Sequence, residues 1–375
     1  MNRPEEVVDN LFAAKQKIDE DKNAETKIKK CPSCGANMVY SPETHGLKCP
    51  YCGEEVKLEE NDFCEEKDAN LLFDNSVATW SKETRVFRCT NCGATTVISR
   101  SEISKECPFC GTSNVVECEE MSGMRPDAVL PFLLTKEQAK ERVVGWAKKK
   151  VFAPSKFKKS VKPEGMHGNY SPAFTFDADT YTEYEGVLGR YYYVTKTVDG
   201  KQVTERRVEY FPISGTHKRS FDDVLVQAAD NIRQKTLNDL QPYDTNNSQK
   251  YSEDYLYGFT ATQYNRDGKA CWKVARNIMY DNVKEQILSG YVYDEICSFD
   301  ANMHCKNVTY KYVLLPMYIG HYGFKKKIYN FFVNGRNGKV AGKVPISPLK
   351  VGSLVIGILG AIALIVYLFV TYGGD

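Results

Sequence analysis

Histidine is scarce in this sequence. His45, His167, His217, His304 and His321 are the only five in 375 residues, and they are scattered along the chain. No HExxH, GxGxxG or GxSxG motif is present. That removes the motif-borne routes to a zinc protease, a dinucleotide fold and a serine hydrolase. Gly335-Arg336-Asn337-Gly338-Lys339-Val340 has the wrong spacing for a phosphate loop and lacks its Ser or Thr. Charge of either sign is not in excess: the net charge is +2 and selects no partner. A signal peptide is also missing, so disulfides are not expected. No catalytic residue is assigned, and the chain is not expected to be an enzyme.

Cysteine, in contrast, is abundant and ordered. Of the 13 cysteines, eight fall into two CxxC…CxxC quartets. Cys31, Cys34, Cys49 and Cys52 form the first; Cys89, Cys92, Cys107 and Cys110 form the second. Fourteen residues separate the two pairs in each, and adding 58 maps the first quartet onto the second. The match extends to the flanks, where Lys30-Cys31-Pro32-Ser33-Cys34-Gly35-Ala36 aligns with Arg88-Cys89-Thr90-Asn91-Cys92-Gly93-Ala94. One module has been duplicated. Paired CxxC turns aim four thiolates at one point, the ligand set of a structural tetrahedral zinc site. Four thiolates leave no open position for catalysis. The Gly after each second Cys supplies the positive φ such a turn needs. Segments this small have almost no core, so the metal is expected to supply much of their folding free energy, with two Zn²⁺ per chain. Cys64, Cys118, Cys271, Cys297 and Cys305 share no spacing and are expected to be reduced thiols. Cys64 and Cys118 lie at different offsets from the quartets, which argues against a repeated fifth ligand.

The rest of the chain divides by composition. Residues 1–26 hold a charged amphipathic helix, with Val7, Val8, Leu11, Phe12 and Ile18 at helical spacing. Zinc ribbon one covers 27–57, an acidic linker 58–84 and zinc ribbon two 85–118. An α+β body follows over 127–346. Thr135 and Gln138 predict a capping box opening a helix. From Lys136 to Lys162 there are ten Lys or Arg against two acids. This basic stretch fits a nucleic-acid surface, anionic lipid headgroups or a solvated face. Arg190–Val198 and Lys201–Tyr210 flank the Asp199-Gly200 turn and predict a hairpin, whose dense tyrosines fit base stacking or, as is commoner on alternating strands, a half-exposed sheet. A helix is expected around Phe221–Ile232 and another over Lys269–Leu288. Strands are expected over Val308–Tyr322, Lys327–Asn334 and Lys339–Val344. The sheet should be mostly antiparallel, with two long helices.

Val351–Tyr372 then contains no charged residue. Its 22 residues, at about 1.5 Å each, span roughly 33 Å, enough for a bilayer core. Lys339, Lys343 and Lys350 precede this span. The positive-inside rule therefore puts the body in the cytoplasm, where reduced cysteines also belong. The expectation is a single-pass cell-membrane protein with cytoplasmic N-terminal domains. Ser353, Gly357 and Ala361 form a small-residue stripe that leaves homo-oligomers open.

The blocks Phe176-Asp177-Ala178-Asp179, Phe221-Asp222-Asp223-Val224, Leu256-Tyr257-Gly258-Phe259 and Val333-Asn334-Gly335-Arg336-Asn337-Gly338-Lys339-Val340 complete a pattern. With the double ribbon and the terminal span, it resembles the bacterial transcription-factor-IIB-type (TFIIB-type) zinc-ribbon membrane proteins. The resemblance covers nearly the whole chain and departs at Cys89-Thr90-Asn91-Cys92, which lacks the Pro of the other knuckles. It implies a scaffold or adaptor with phage-shock-protein-A-like or flotillin-like (SPFH) membrane partners in envelope stress or membrane organisation. It implies no catalytic residues. Two classes stay open: a membrane-anchored scaffold, and a membrane-tethered nucleic-acid binder using the ribbons and the 136–162 patch. The anchor and the acidic linker, which would repel a polyanion, favour the first.

Overall fold

The computed structural model describes residues 29–58, 63–73, 84–99, 107–109, 112, 115–118, 124–161, 165–198, 201–325 and 327–372. The helix expected within 1–26, Cys110 and the Asp199-Gly200 turn lie outside them.

Strands β1 (Val39–Ser41), β2 (Gly46–Lys48) and β3 (Glu55–Lys57) form a small antiparallel sheet of their own. The other strands join one large sheet. It takes in β4 (Lys67–Asp68), β5 (Thr84–Cys89), β6 (Thr95–Ser99), β7 (Val115–Cys118) and β8 (Ala128–Val129). Helices α1 (Lys136–Lys149) and α2 (Ser155–Ser160) come next. Two long strands follow, β9 (His167–Val198) and β10 (Lys201–Gln227), then helix α3 (Gln234–Leu240). After β11 (Gln249–Lys250) and β12 (Thr260–Thr262) come helix α4 (Gly268–Ser289) and the third long strand, β13 (Glu295–Phe324). The chain closes with β14 (Lys327–Asn334), β15 (Val340–Gly342) and helix α5 (Pro348–Tyr372). Among the described residues only β12–β9 and β8–β13 pair in parallel. The fold is α+β with a largely antiparallel sheet, as the sequence predicts.

The sheet is built on a blade of three strands in the order β10–β9–β13. The β9–β10 ladder runs from Val198↔Lys201 to Ala173↔Gln227, and β13 pairs the other edge of β9 from Gly189↔Glu295 to His167↔Ile319. Alternation sorts the side chains. Phe174, Phe176 and Ala178 bury one face against α4, while Ala173 faces the core beneath the other. α4 presents Cys271, Ala275, Met279, Val283 and Ile287, all buried and four or so residues apart, and Asp267 caps it by accepting from Ala270 N at 2.7 Å. The far half of the blade is wetter: Tyr193 and Tyr210 are exposed there.

Thr135 and Gln138 form the capping box of α1, with Thr135 N donating to Gln138 Oε1 at 3.0 Å and Gln138 N to Thr135 Oγ1 at 3.3 Å. The helix expected over Phe221–Ile232 is not formed: β10 continues to Gln227, and the helix begins at Gln234. The register slips between Phe221 and Val224, where Asp223 takes φ 53°. That bulge puts extra residues between Phe221 and Val224, so a strand's apolar positions fall three and four apart and imitate a helix.

Candidate metal centres

Each cysteine module is a pair of tight turns at the ends of short strands. In the first, Cys31 N donates to Ala36 O at 2.8 Å and Gly35 N to Cys31 O at 2.9 Å. Cys49 repeats this with Glu54 O at 2.8 Å and Gly53 N at 3.0 Å. In the second module, Cys89 N donates to Ala94 O and Gly93 N to Cys89 O, both at 2.9 Å, and Cys107 N donates to Thr112 O at 2.8 Å. Gly35, Gly53 and Gly93 sit at φ 71°, 78° and 73°, the left-handed region the sequence called for.

These turns converge the sulfurs. Cys31 Sγ lies 3.4 Å from Cys52 Sγ, and Cys34 Sγ lies 3.5 Å from Cys49 Sγ. All four lie within 4.8 Å of one another. Sulfurs about 2.3 Å from a common tetrahedral centre would be separated by about 3.8 Å. A disulfide would need about 2.05 Å. The quartet therefore surrounds a point, in the arrangement that could hold a metal ion. Backbone N–H of Cys52, helped by that of Tyr51, points at Cys49 Sγ and holds its thiol down to about 6, against the opposing effect of burial. In the same group the Glu54 N–H is outweighed by the neighbouring sulfurs, Cys31 first, which push the Cys52 thiol up to about 12, so the sulfurs share their charge unequally.

In the second module Cys92 Sγ lies 3.6 Å from Cys107 Sγ, and Cys89, Cys92 and Cys107 cluster within 4.8 Å. The duplication extends to burial: Cys31, Cys49, Cys89 and Cys107 are buried, and Cys34, Cys52 and Cys92 are exposed. Seven of the eight sequence-predicted ligands are thus brought together in two groups, the eighth being Cys110. His45 is exposed in the β1–β2 turn at φ 51° and belongs to neither group. Cys64 and Cys271 also stand apart; burial pushes the Cys271 thiol up to about 12.

The two modules attach to the body differently. The first uses side chains: Tyr40 inserts its ring 5.4 Å from Tyr255 and 6.3 Å from Phe259, and donates its backbone N–H to Tyr257 O at 2.9 Å. The second uses backbone: β6 pairs with β12 through Val97↔Ala261 and Thr96↔Thr262, and β12 in turn pairs with β9. Asn169 of β9 secures this seam, donating to Thr262 Oγ1 at 3.0 Å and accepting from Thr260 Oγ1 at 2.9 Å. An open cleft of about 1190 Å³ lies where Cys52 and Tyr51 of the first module, Pro108 of the second, and Phe259 and Tyr318 of the body meet.

A third group was not anticipated. Glu66, Asp177 and Asp223 converge on Lys311, whose side chain is 5% exposed. Lys311 Nζ lies 3.1 Å from Glu66 Oε1 and 3.8 Å from Asp223 Oδ1. Thr309 Oγ1 donates to Glu66 Oε2 at 2.6 Å, and Asp223 N donates to Asp177 Oδ1 at 2.6 Å. Burial, then the hydrogen bond and charge of Glu66, push the Asp177 carboxyl up to about 7. Glu66 is held low despite its burial, because the Asp177 carboxyl, Thr309 and Lys311 all donate to it. One cation facing three carboxyl groups thus keeps a proton among them. The signal available in the sequence was a lysine between Tyr310 and Tyr312, just ahead of the apolar run Val313-Leu314-Leu315. Within 58–84, the stretch expected as an acidic linker, β4 pairs with β13 and Lys67 Nζ meets Asp127 Oδ1 at 2.5 Å.

Helix α5 is long and apolar enough to cross a membrane over Pro348–Phe369, and its apolar stretch is not buried in the protein. Its root is tied to the body. Lys350 Nζ donates to Ala153 O at 2.8 Å and Val151 O at 3.2 Å, and Ser347 N donates to Phe152 O at 2.9 Å.

No protein-family model matches the chain, and no solved structure matches it. The chain is similar to the uncharacterized protein YdjG of Bacillus subtilis (strain 168), being 28% identical over 333 residues that cover 88% of this chain and 94% of the relative.

Proposed function

We propose that this chain is a membrane-anchored adaptor of the TFIIB-type zinc-ribbon kind, which holds cytoplasmic or membrane proteins at the cell membrane through its ribbons and blade. In this reading each module binds one Zn²⁺ in a structural role, and α5 is a single span with the body on the cytoplasmic side. The observation that carries it is the pairing of an unburied apolar helix with one group of four cysteines and a second of three, which Cys110 completes in sequence. Four thiolates would leave no open coordination position for a substrate, so in this reading the metals serve shape. The cleft at the meeting of both modules and the body, lined by Tyr51, Phe259 and Tyr318 beside charged side chains, and the edge of β10 that is unpaired among the described residues, offer partners a groove and a strand edge. Partners of the phage-shock-protein-A-like or SPFH class, in envelope stress or membrane organisation, fit the resemblance in sequence pattern.

The other reading is a tethered nucleic-acid binder acting through Lys148–Lys162. It is disfavoured because Lys350 ties this stretch to the root of the apolar helix, where a bilayer would compete for it. Two measurements on the detergent-solubilised chain decide between them. Capture from solubilised membranes should retain specific protein partners through moderate salt. DNA and RNA binding should be weak and salt-labile, no tighter than roughly 10⁻⁶ M at physiological salt. Tight, sequence-selective nucleic-acid binding lost on neutralising Lys148, Lys149, Lys158 and Lys159 would overturn the adaptor reading.

A further inference from the structure

The segment joining α1 to α2 carries exposed apolar side chains beside lysines, and the root of α5 brings more of both. Val151 and Phe152 are 69% and 43% exposed, and across the joint Ile346 and Leu349 are 70% and 86% exposed. From Trp146 to Ser160 there are six lysines and no acid, and Lys339–Lys350 adds three lysines and no acid. Glu141, about two turns earlier on α1, is the nearest acid along that helix.

These residues form one rigid surface. Phe157 of α2 is fully buried, with its ring 5.0 Å from Tyr322, and the Tyr322 hydroxyl donates to Lys343 O. Phe152 O accepts from Ser347 N, just before α5, and the Val151 and Ala153 carbonyls accept from Lys350 in its first turn. The 151–153 loop, the 343–349 segment and the helix root are therefore bonded to one another. Trp146, half-buried with Lys150 Nζ 5.3 Å from its ring centroid, sits beside them. A tryptophan beside lysines and short apolar side chains at the foot of a span is the composition of a bilayer interface.

We propose that this end of the body is a collar that seats on an anionic lipid surface. Val151, Phe152, Ile346 and Leu349 enter the headgroup–acyl boundary, and Lys148, Lys149, Lys150 and Lys156 meet lipid phosphates. The occupant is fixed by continuity, since the collar is hydrogen-bonded to the root of the helix that enters the bilayer. β9 starts at His167 and runs for 32 residues, so Val198 at the blade tip lies up to about 100 Å along the strand from its start.

The inference rests on reading α5 as a membrane span, and the test separates the two. The full chain is reconstituted into vesicles of phosphatidylcholine alone or mixed with phosphatidylglycerol. Flotation and resistance to alkaline carbonate report the span. Phe152→Trp and Leu349→Trp, each read as added fluorescence over the unsubstituted chain, report the collar through lipids brominated near the headgroup. Both probes should be quenched, and more strongly with phosphatidylglycerol present; Val198→Trp at the blade tip should not be. Replacing Lys149, Lys150 and Lys156 with Gln should abolish the phosphatidylglycerol-dependent part while flotation persists. A chain that floats, but whose position-152 and position-349 probes behave like the one at position 198, overturns the collar and leaves the span standing. A chain that fails to float overturns both.

Discussion

The two cysteine modules share one sequence pattern and one turn geometry, yet they join the protein in different ways. The first is a separate three-stranded sheet held by Tyr40 and Leu47 against the aromatic cluster of the body. The second extends the main sheet itself, with β6 continuing the order through β12 to β9. Duplicated ligands thus specify a repeated local shape, and the residues outside the turns decide what that shape is attached to. One consequence concerns cooperativity. Losing the metal from the first module should release a docked unit, whereas losing it from the second should expose an edge of the central sheet.

The largest expected effect comes from the ligands. Structural tetrathiolate sites hold their metal with apparent free energies of about 10–16 kcal/mol, which in so small a module is folding free energy. Cys49→Ser should raise amide exchange across β1–β3 and leave β12 protected. Cys107→Ser should raise exchange in β5 and β6 and also in β12 and at Asn169. Equal spread in both variants would remove the distinction between the modules. Next in size is the side-chain dock. Tyr40→Ala removes a 3%-exposed ring and should weaken the docking of the first module by about 3–5 kcal/mol, read by protease cleavage between the modules, without loss of either metal.

The smallest effect tests how the chain between the modules is pinned through Glu66. Asp177 is raised from an ordinary 3.8 to about 7, so the folded state binds a proton the unfolded state gives up. That contribution is full below the unfolded value and is lost as pH rises from about 4 to 7. Asp177→Asn mimics the protonated acid: its amide can donate to Glu66 and its oxygen can still accept from Asp223 N. The variant should gain on the order of 1–2 kcal/mol over the unsubstituted chain at pH 8, after allowing for solvent screening, and nothing at pH 4. Thermal melts of the two proteins across that range would contradict the cluster if they ran parallel.

The first quartet, three cysteines of the second, the capping box at Thr135, the buried face of α4 and the apolar terminal helix were legible because each depends on local spacing. A CxxC turn or a four-residue apolar repeat carries its own geometry. What was not legible depends on long-range pairing. The bulge at Asp223 turned a strand's pattern into a helix's. The Glu66–Asp177–Asp223–Lys311 group joins residues up to 245 apart in sequence, and no window contains it. The attachment of β6 to β12 likewise rests on backbone bonds, which any pair of extended segments could offer.

The central claim is that both duplicated modules close around a metal. Elemental analysis of the full chain, purified in detergent without added metal, tests it most directly. The account predicts two zinc ions per chain, one in Cys49→Ser, one in Cys107→Ser and two in Cys64→Ser. A single zinc in the unsubstituted chain, or iron in its place, would contradict it.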